Sequence, residues 1–77
     1  MSFGVIWTPQ ALAALHRVHW RTASTIDAAV IRHATQIAER PGPPLSRQRM
    51  RVAGHDLALV IDREVAVLRV LGLFRAR

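Results

Sequence analysis

The chain has 77 residues, 51% of them hydrophobic, and carries a net charge of +6 in which every one of the 11 cationic side chains is arginine. That length supports a single domain spanning residues 1–77, one that buries only roughly 60% of its unfolded surface, so a partner is expected to cover part of the apolar remainder. Without cysteine the chain has no disulfide, thiolate metal site or cysteine nucleophile, and its short apolar runs and lack of a leader pattern predict a cytoplasmic protein away from any membrane.

In chain order, Phe3 to Trp7 reads as a first strand. Thr8 and Pro9 then suit the cap and first turn of a helix. Ala11, Leu15 and Val18 recur at helical spacing, which predicts helix one running to about Trp20. Ser24-Thr25-Ile26-Asp27 has the spacing of a capping box and predicts the start of helix two. Its apolar stripe is Ala23, Ile26, Val30, Ala34 and Ile37, and it stops before Pro41. Pro41-Gly42-Pro43-Pro44 passes through no helix or strand. Beyond it three strands follow as a meander: Ser46 to Val52, His55 to Ile61 and Val65 to Leu73, with turns at Ala53-Gly54 and near Asp62-Arg63-Glu64. The last of these is apolar on both faces and is expected to lie centrally. The order β-α-α-β-β-β predicts an α+β fold, with a helical hairpin packed on one face of a small antiparallel sheet.

Charge is uneven along the chain. Residues 1–40 hold four arginines against Asp27 and Glu39, while residues 41–77 hold seven against Asp56, Asp62 and Glu64. In the second strand Arg47, Arg49 and Arg51 alternate with Gln48 and Met50. Alternate strand residues share a face, so the three guanidiniums emerge on one side with Met50 and Val52 on the other. Such a row repels itself and attracts a polyanion. Arg69 interrupts the last strand, with Arg75 and Arg77 after it. Arg69 either pairs with Asp56 or Asp62 or joins Arg49 and Arg51 in one concave patch. The candidate target-binding set is therefore Arg47, Arg49, Arg51, Arg69 and Arg75.

Among the histidines, His55 opens the third strand beside these arginines and is the one near-neutral titrating group placed to move a proton there. With Arg49, Arg51 and Arg69 it forms the candidate catalytic set. His16 and His19 lie three apart without a third ligand nearby and His33 reads as a helix flank, so neither a metal nor another cofactor is expected. Trp7, Phe3 and Phe74 read as core, and Trp20 as a partly exposed contact residue.

The pattern resembles the RelE/ParE superfamily of toxins from bacterial type II toxin–antitoxin pairs. Val5-Ile6-Trp7-Thr8-Pro9-Gln10-Ala11-Leu12 resembles the family's first strand and helix start. The Pro-Gly segment and Leu45 sit where the family leaves its second helix. Arg49-Met50-Arg51-Val52-Ala53-Gly54-His55-Asp56-Leu57 resembles its Arg-x-Arg-x-x-Gly-Tyr-Arg pattern, and Val67-Leu68-Arg69-Val70-Leu71 its last strand, nearer the ParE branch. The resemblance implies a growth-inhibiting, plasmid-stabilising toxin of the ParE type, which poisons DNA gyrase and is neutralised by a cognate antitoxin in a hetero-oligomer or beside a homodimer. The alternative it implies is a RelE-like endoribonuclease acting on messenger RNA in the ribosome. His55 replaces the family's tyrosine, Asp56 a frequent arginine, and the tyrosine of the nuclease branch's C-terminal segment has no counterpart, all of which favours binding over cleavage. A third reading is a non-toxic assembly module that pairs through exposed strands.

Overall fold

A computed structural model describes residues 3–76. The elements run β1 (Gly4–Trp7), α1 (Pro9–His16), α2 (Trp20–Ala38), β2 (Leu45–Val52), β3 (His55–Asp62) and β4 (Val67–Arg75). Both helices lie on one face of a four-stranded sheet of order β1-β4-β3-β2. The expected α+β architecture is present, with one refinement. β2, β3 and β4 form an antiparallel meander, but β1 joins β4 in parallel, so the sheet is mixed. As expected, β4 is a central strand.

Thr8 caps α1 by accepting a hydrogen bond from the Ala11 amide at 3.2 Å. Its hydroxyl also donates to the Val70 carbonyl at 3.1 Å, tying the β1–α1 corner to β4. α1 stops at His16, earlier than its apolar spacing predicts. α2 begins at Trp20 rather than near Ser24, because the His19 ring accepts from the Arg21 amide at 3.3 Å and serves as the cap. Ser24 and Asp27 therefore sit inside the helix. Their capping-box spacing also fits ordinary helix interior, where Thr25 satisfies its own hydroxyl on the Arg21 carbonyl.

α1 lies chiefly over β4, while α2 reaches from β1 across to β2. Between helices and sheet lies a core of Ala11, Ile26, Val30, Ala34 and Ile37 against Leu57, Leu59, Ile61, Leu68, Val70 and Leu73. Phe74, expected in that core, is 58% exposed, whereas Phe3 and Trp7 pack against its margin.

Two turns fix the strand geometry. Ala53 and Gly54 both have positive φ, 50° and 77°, the pair of left-handed residues that a two-residue hairpin loop needs to match strand twist. At the other end of β3, Arg63 donates from Nη1 to the carbonyls of Ile37 (2.8 Å) and Arg40 (2.7 Å), closing the C-terminal end of α2. Ala66, at φ 53°, completes that turn, so β4 starts at Val67 and runs two residues further than the apolar pattern predicts.

Candidate anion-binding face

Residues paired across neighbouring strands share a face, so the register assigns every side chain to one side of the sheet. Met50 pairs with Leu57 and Leu57 with Leu73, all on the helix side. Arg47, Arg49 and Arg51 pair with Val60, Ala58 and Asp56 on the opposite, helix-free side. Val60 pairs in turn with Arg69, and Arg69 with Ile6. Four arginines from β2 and β4 thus occupy one open face, and the alternation in β2 is as expected. Leu71 completes a hollow of about 270 Å³ with Arg47, Arg49 and Ala58 among its lining.

Apolar groups interleave with these cations. Ile6 (46% exposed), Leu71 (39%), Leu45 and Phe74 all stand open to solvent around the arginines. A face that is both basic and apolar suits an acidic amphipathic segment or a nucleic-acid strand better than free solvent does. Its apolar members Ile6 and Leu71 escape a reading of charge alone, although alternation with the half-buried Val5 and the buried Val70 carries the signal.

Two carboxylates temper the field. Arg51 donates to Asp56 through Nε at 2.9 Å and Nη2 at 3.4 Å. That bond holds the Asp56 carboxyl below its usual range, against a smaller opposing effect of desolvation, and the charges of Arg51 and Arg49 add to the lowering. The Arg51 guanidinium is correspondingly held more firmly protonated. Asp62 lies 4.0 Å from Arg69, a looser contact, so of the two expected partners Asp62 is the one that reaches Arg69. Among the described residues Arg47 and Arg49 have no carboxylate partner and are the uncompensated cations of the row.

The structure does not bring His55 and Arg75 to this face. His55 pairs with Val52 and with Arg75, on the helix side. For His55 the sequence held a signal, since it shares strand parity with the core residues Leu57, Leu59 and Ile61. For Arg75 strict alternation from Arg69 predicts the open face. A β-bulge intervenes: Leu59 pairs with Val70 and Ala58 with Gly72, leaving Leu71 extra. One added residue reverses the parity of everything after it. Arg77 lies outside the described residues.

Of the remaining histidines, two are structural in placement. His19 caps α2, and His33 Nε2 hydrogen-bonds Gln48 Oε1 at 3.0 Å, pinning α2 to β2. Among the described residues no three His, Cys, Asp or Glu side chains cluster as metal ligands, and no helix is long and apolar enough to cross a membrane. Trp20 is 69% exposed, stacked against His19 with the Arg21 guanidinium 5.2 Å from its ring centroid.

Neither protein-family models nor curated proteins yield a match to the sequence. Solved structures do. The RelE–RelB complex of the archaeon Pyrococcus horikoshii has a chain that superposes with TM-score 0.82 at 14% identity, covering 97% of this chain and 96% of that one. The RelBE2 toxin–antitoxin complex of Mycobacterium tuberculosis matches at 25% identity and TM-score 0.65, over 97% of this chain and 99% of the other. The intact RelBE complex of E. coli matches at 15% identity and TM-score 0.70, over 99% of each chain. These likenesses span nearly the whole of both partners, and by fold the chain groups with the RelE/ParE toxin superfamily.

Proposed function

We propose that this protein is the toxin component of a type II toxin–antitoxin pair, acting in the cytoplasm by binding an essential target through its open sheet face. The observation that carries the reading is the convergence of Arg47, Arg49, Arg51 and Arg69 on one helix-free face, among exposed Ile6, Leu71 and Phe74, in a fold shared with chains of toxin–antitoxin complexes. A cognate antitoxin carrying an acidic amphipathic segment would cover that face, its carboxylates on the arginines and its apolar side chains on Leu71 and Phe74.

Binding without bond cleavage, in the manner of a ParE-type gyrase poison, is the reading favoured for the action. Strand cleavage needs a group that accepts and returns a proton near the phosphate. Among the described residues the titrating groups on the open face besides arginine are Asp56 and Asp62, both set against arginines, while His55 stands on the other side of the sheet. The second reading, a messenger RNA endoribonuclease in which the arginines alone position and polarise the phosphate, is favoured by the RelE names of the superposed structures.

The test is inducible expression, alone and together with the product of the adjoining short reading frame. The expected result is growth arrest relieved by co-expression and abolished by Arg47→Gln combined with Arg49→Gln. DNA damage and filamentation with intact transcripts identify gyrase as the target; cleaved transcripts identify the nuclease. Unimpaired growth in every arm removes the toxin reading and leaves an assembly module.

A further inference from the structure

Arg75 and His55, once displaced from the open face, have company. Together with Arg17, the residue that ends α1, they border a pocket of about 300 Å³ between α1 and the C-terminal half of β4, floored by Ala14, Val18 and Leu73. No carboxylate among the described residues lines it, and neither Arg17 nor Arg75 has an acidic partner among them. The open face sets two carboxylates against four arginines; here two arginines border one pocket with no carboxylate among the described residues to offset them.

The imidazole is also held in a defined way. His55 Nδ1 lies 3.0 Å from the Ala53 carbonyl, and a carbonyl only accepts, so Nδ1 carries the proton. Nε2 is then the ring nitrogen left free of that bond. Two guanidinium forks around an apolar floor match the oxygens of a phosphoryl group, which accepts several charge-assisted hydrogen bonds at once.

We propose that this pocket is a second anion site, on the opposite side of the sheet from the Arg47–Arg49 row, and that it takes a phosphoryl group. The group belongs either to a nucleic-acid backbone or to a free phosphate ester. The assignment stands independently of the toxin reading.

The test is calorimetric titration of the full chain with inorganic pyrophosphate. In an Arg47→Gln, Arg49→Gln background, which removes the uncompensated cations of the open face, saturable one-to-one binding is expected. In that background Arg17→Gln should weaken it about tenfold, the loss of one charged hydrogen bond; Arg17→Lys should retain more of it than Arg17→Gln, and Arg32→Gln, exposed on α2 and outside the pocket, should leave it unchanged. Circular dichroism of each variant separates loss of binding from loss of fold, with Arg75→Gln as the second variant should Arg17→Gln unfold. A short single-stranded oligonucleotide that displaces pyrophosphate assigns the site to a backbone phosphate, and failure to displace assigns it to a free ester. Absence of saturable binding in that background overturns the proposal, as does a loss from Arg32→Gln equal to that from Arg17→Gln.

Discussion

At the scale of single residues, Asp56 sets how strongly the open face attracts an anion. Its carboxylate occupies Arg51 at 2.9 Å and places a negative charge beside Arg49. Asp56→Asn frees one guanidinium and raises the net charge of the face by one. Binding of a single-stranded oligonucleotide should tighten, and the slope of log affinity against log salt should steepen by roughly one; fluorescence anisotropy across a salt series reads both. An unchanged slope means that Arg51 does not contact the strand. The same substitution has a pH signature. Because the folded-state pKa of Asp56 lies below its ordinary value, the pair contributes stability above the unfolded-state pKa and loses it as the pH falls through the folded one. Thermal midpoints of wild type and Asp56→Asn should therefore differ, with wild type higher, at neutral pH and converge below about pH 4. Divergence on acidification would reverse the sign and remove the ion pair as the cause. Ala53 is the other residue whose chemistry and conformation disagree. It occupies the left-handed region at φ 50° beside Gly54, where asparagine is at ease and alanine is not. Ala53→Asn should raise stability by about 1 kcal/mol in a urea titration.

Among the elements, the joint between α2, the Pro-Gly connection and the β3–β4 turn depends on one side chain. Arg63 reaches the Ile37 and Arg40 carbonyls, and its own amide donates to the Pro44 carbonyl at 2.8 Å. Gly42 permits this: a Cβ there would stand 2.7 Å from Arg63 Nε and 2.8 Å from Nη2. A free arginine head would swing aside, but this one is held by two charge-assisted bonds. Arg63→Ala should cost about 2 kcal/mol of unfolding free energy, and Gly42→Ala a comparable amount by pushing the same head away. The double variant should then cost less than the two singles summed by about 1 kcal/mol; strict additivity in denaturant titrations would mean that Arg63 keeps its place despite the added methyl group. Nothing in the sequence marks Arg63 as more than a turn residue, because its partners are backbone carbonyls 26 and 23 positions away. Elements whose determinants are local were legible. Thr8-Pro9 opened a helix, Ala53-Gly54 made the hairpin, and the alternation of β2 sent its arginines to one face. The α1–α2 boundary was not, since it depends on an imidazole standing in for the usual serine or aspartate cap. Nor was the bulge at Leu71, a register event between β3 and β4 with no local marker. That one residue divides the expected arginine set, keeping Arg69 with the β2 row and carrying Arg75 round to His55.

For the whole molecule, the decisive fact is that two helices cover one side of the sheet and nothing in the described chain covers the other. A 77-residue chain with a one-sided core has little stability to spare. Its open face leaves Leu45 62% and Phe74 58% exposed beside the arginines, which serves a free monomer poorly and a complex well. If that face is where a neutralising partner lies, the free chain and the complex should respond differently to the same change. Leu45→Ser and Phe74→Ser remove side chains that the free fold barely uses, so each should shift its unfolding free energy by no more than about 0.5 kcal/mol. In the complex each should cost about 1 kcal/mol of binding free energy, because apolar area that the partner takes out of water is lost. The partner also stabilises by mass action, adding about 2.7 kcal/mol at a hundredfold excess over its dissociation constant. Paired thermal melts of the free chain and of the complex separate the two contributions. Equal losses in both would place Leu45 and Phe74 within the fold's own packing, and the neutralising surface would then have to be sought on the helix side, around Trp20 or the Arg17–Arg75 pocket.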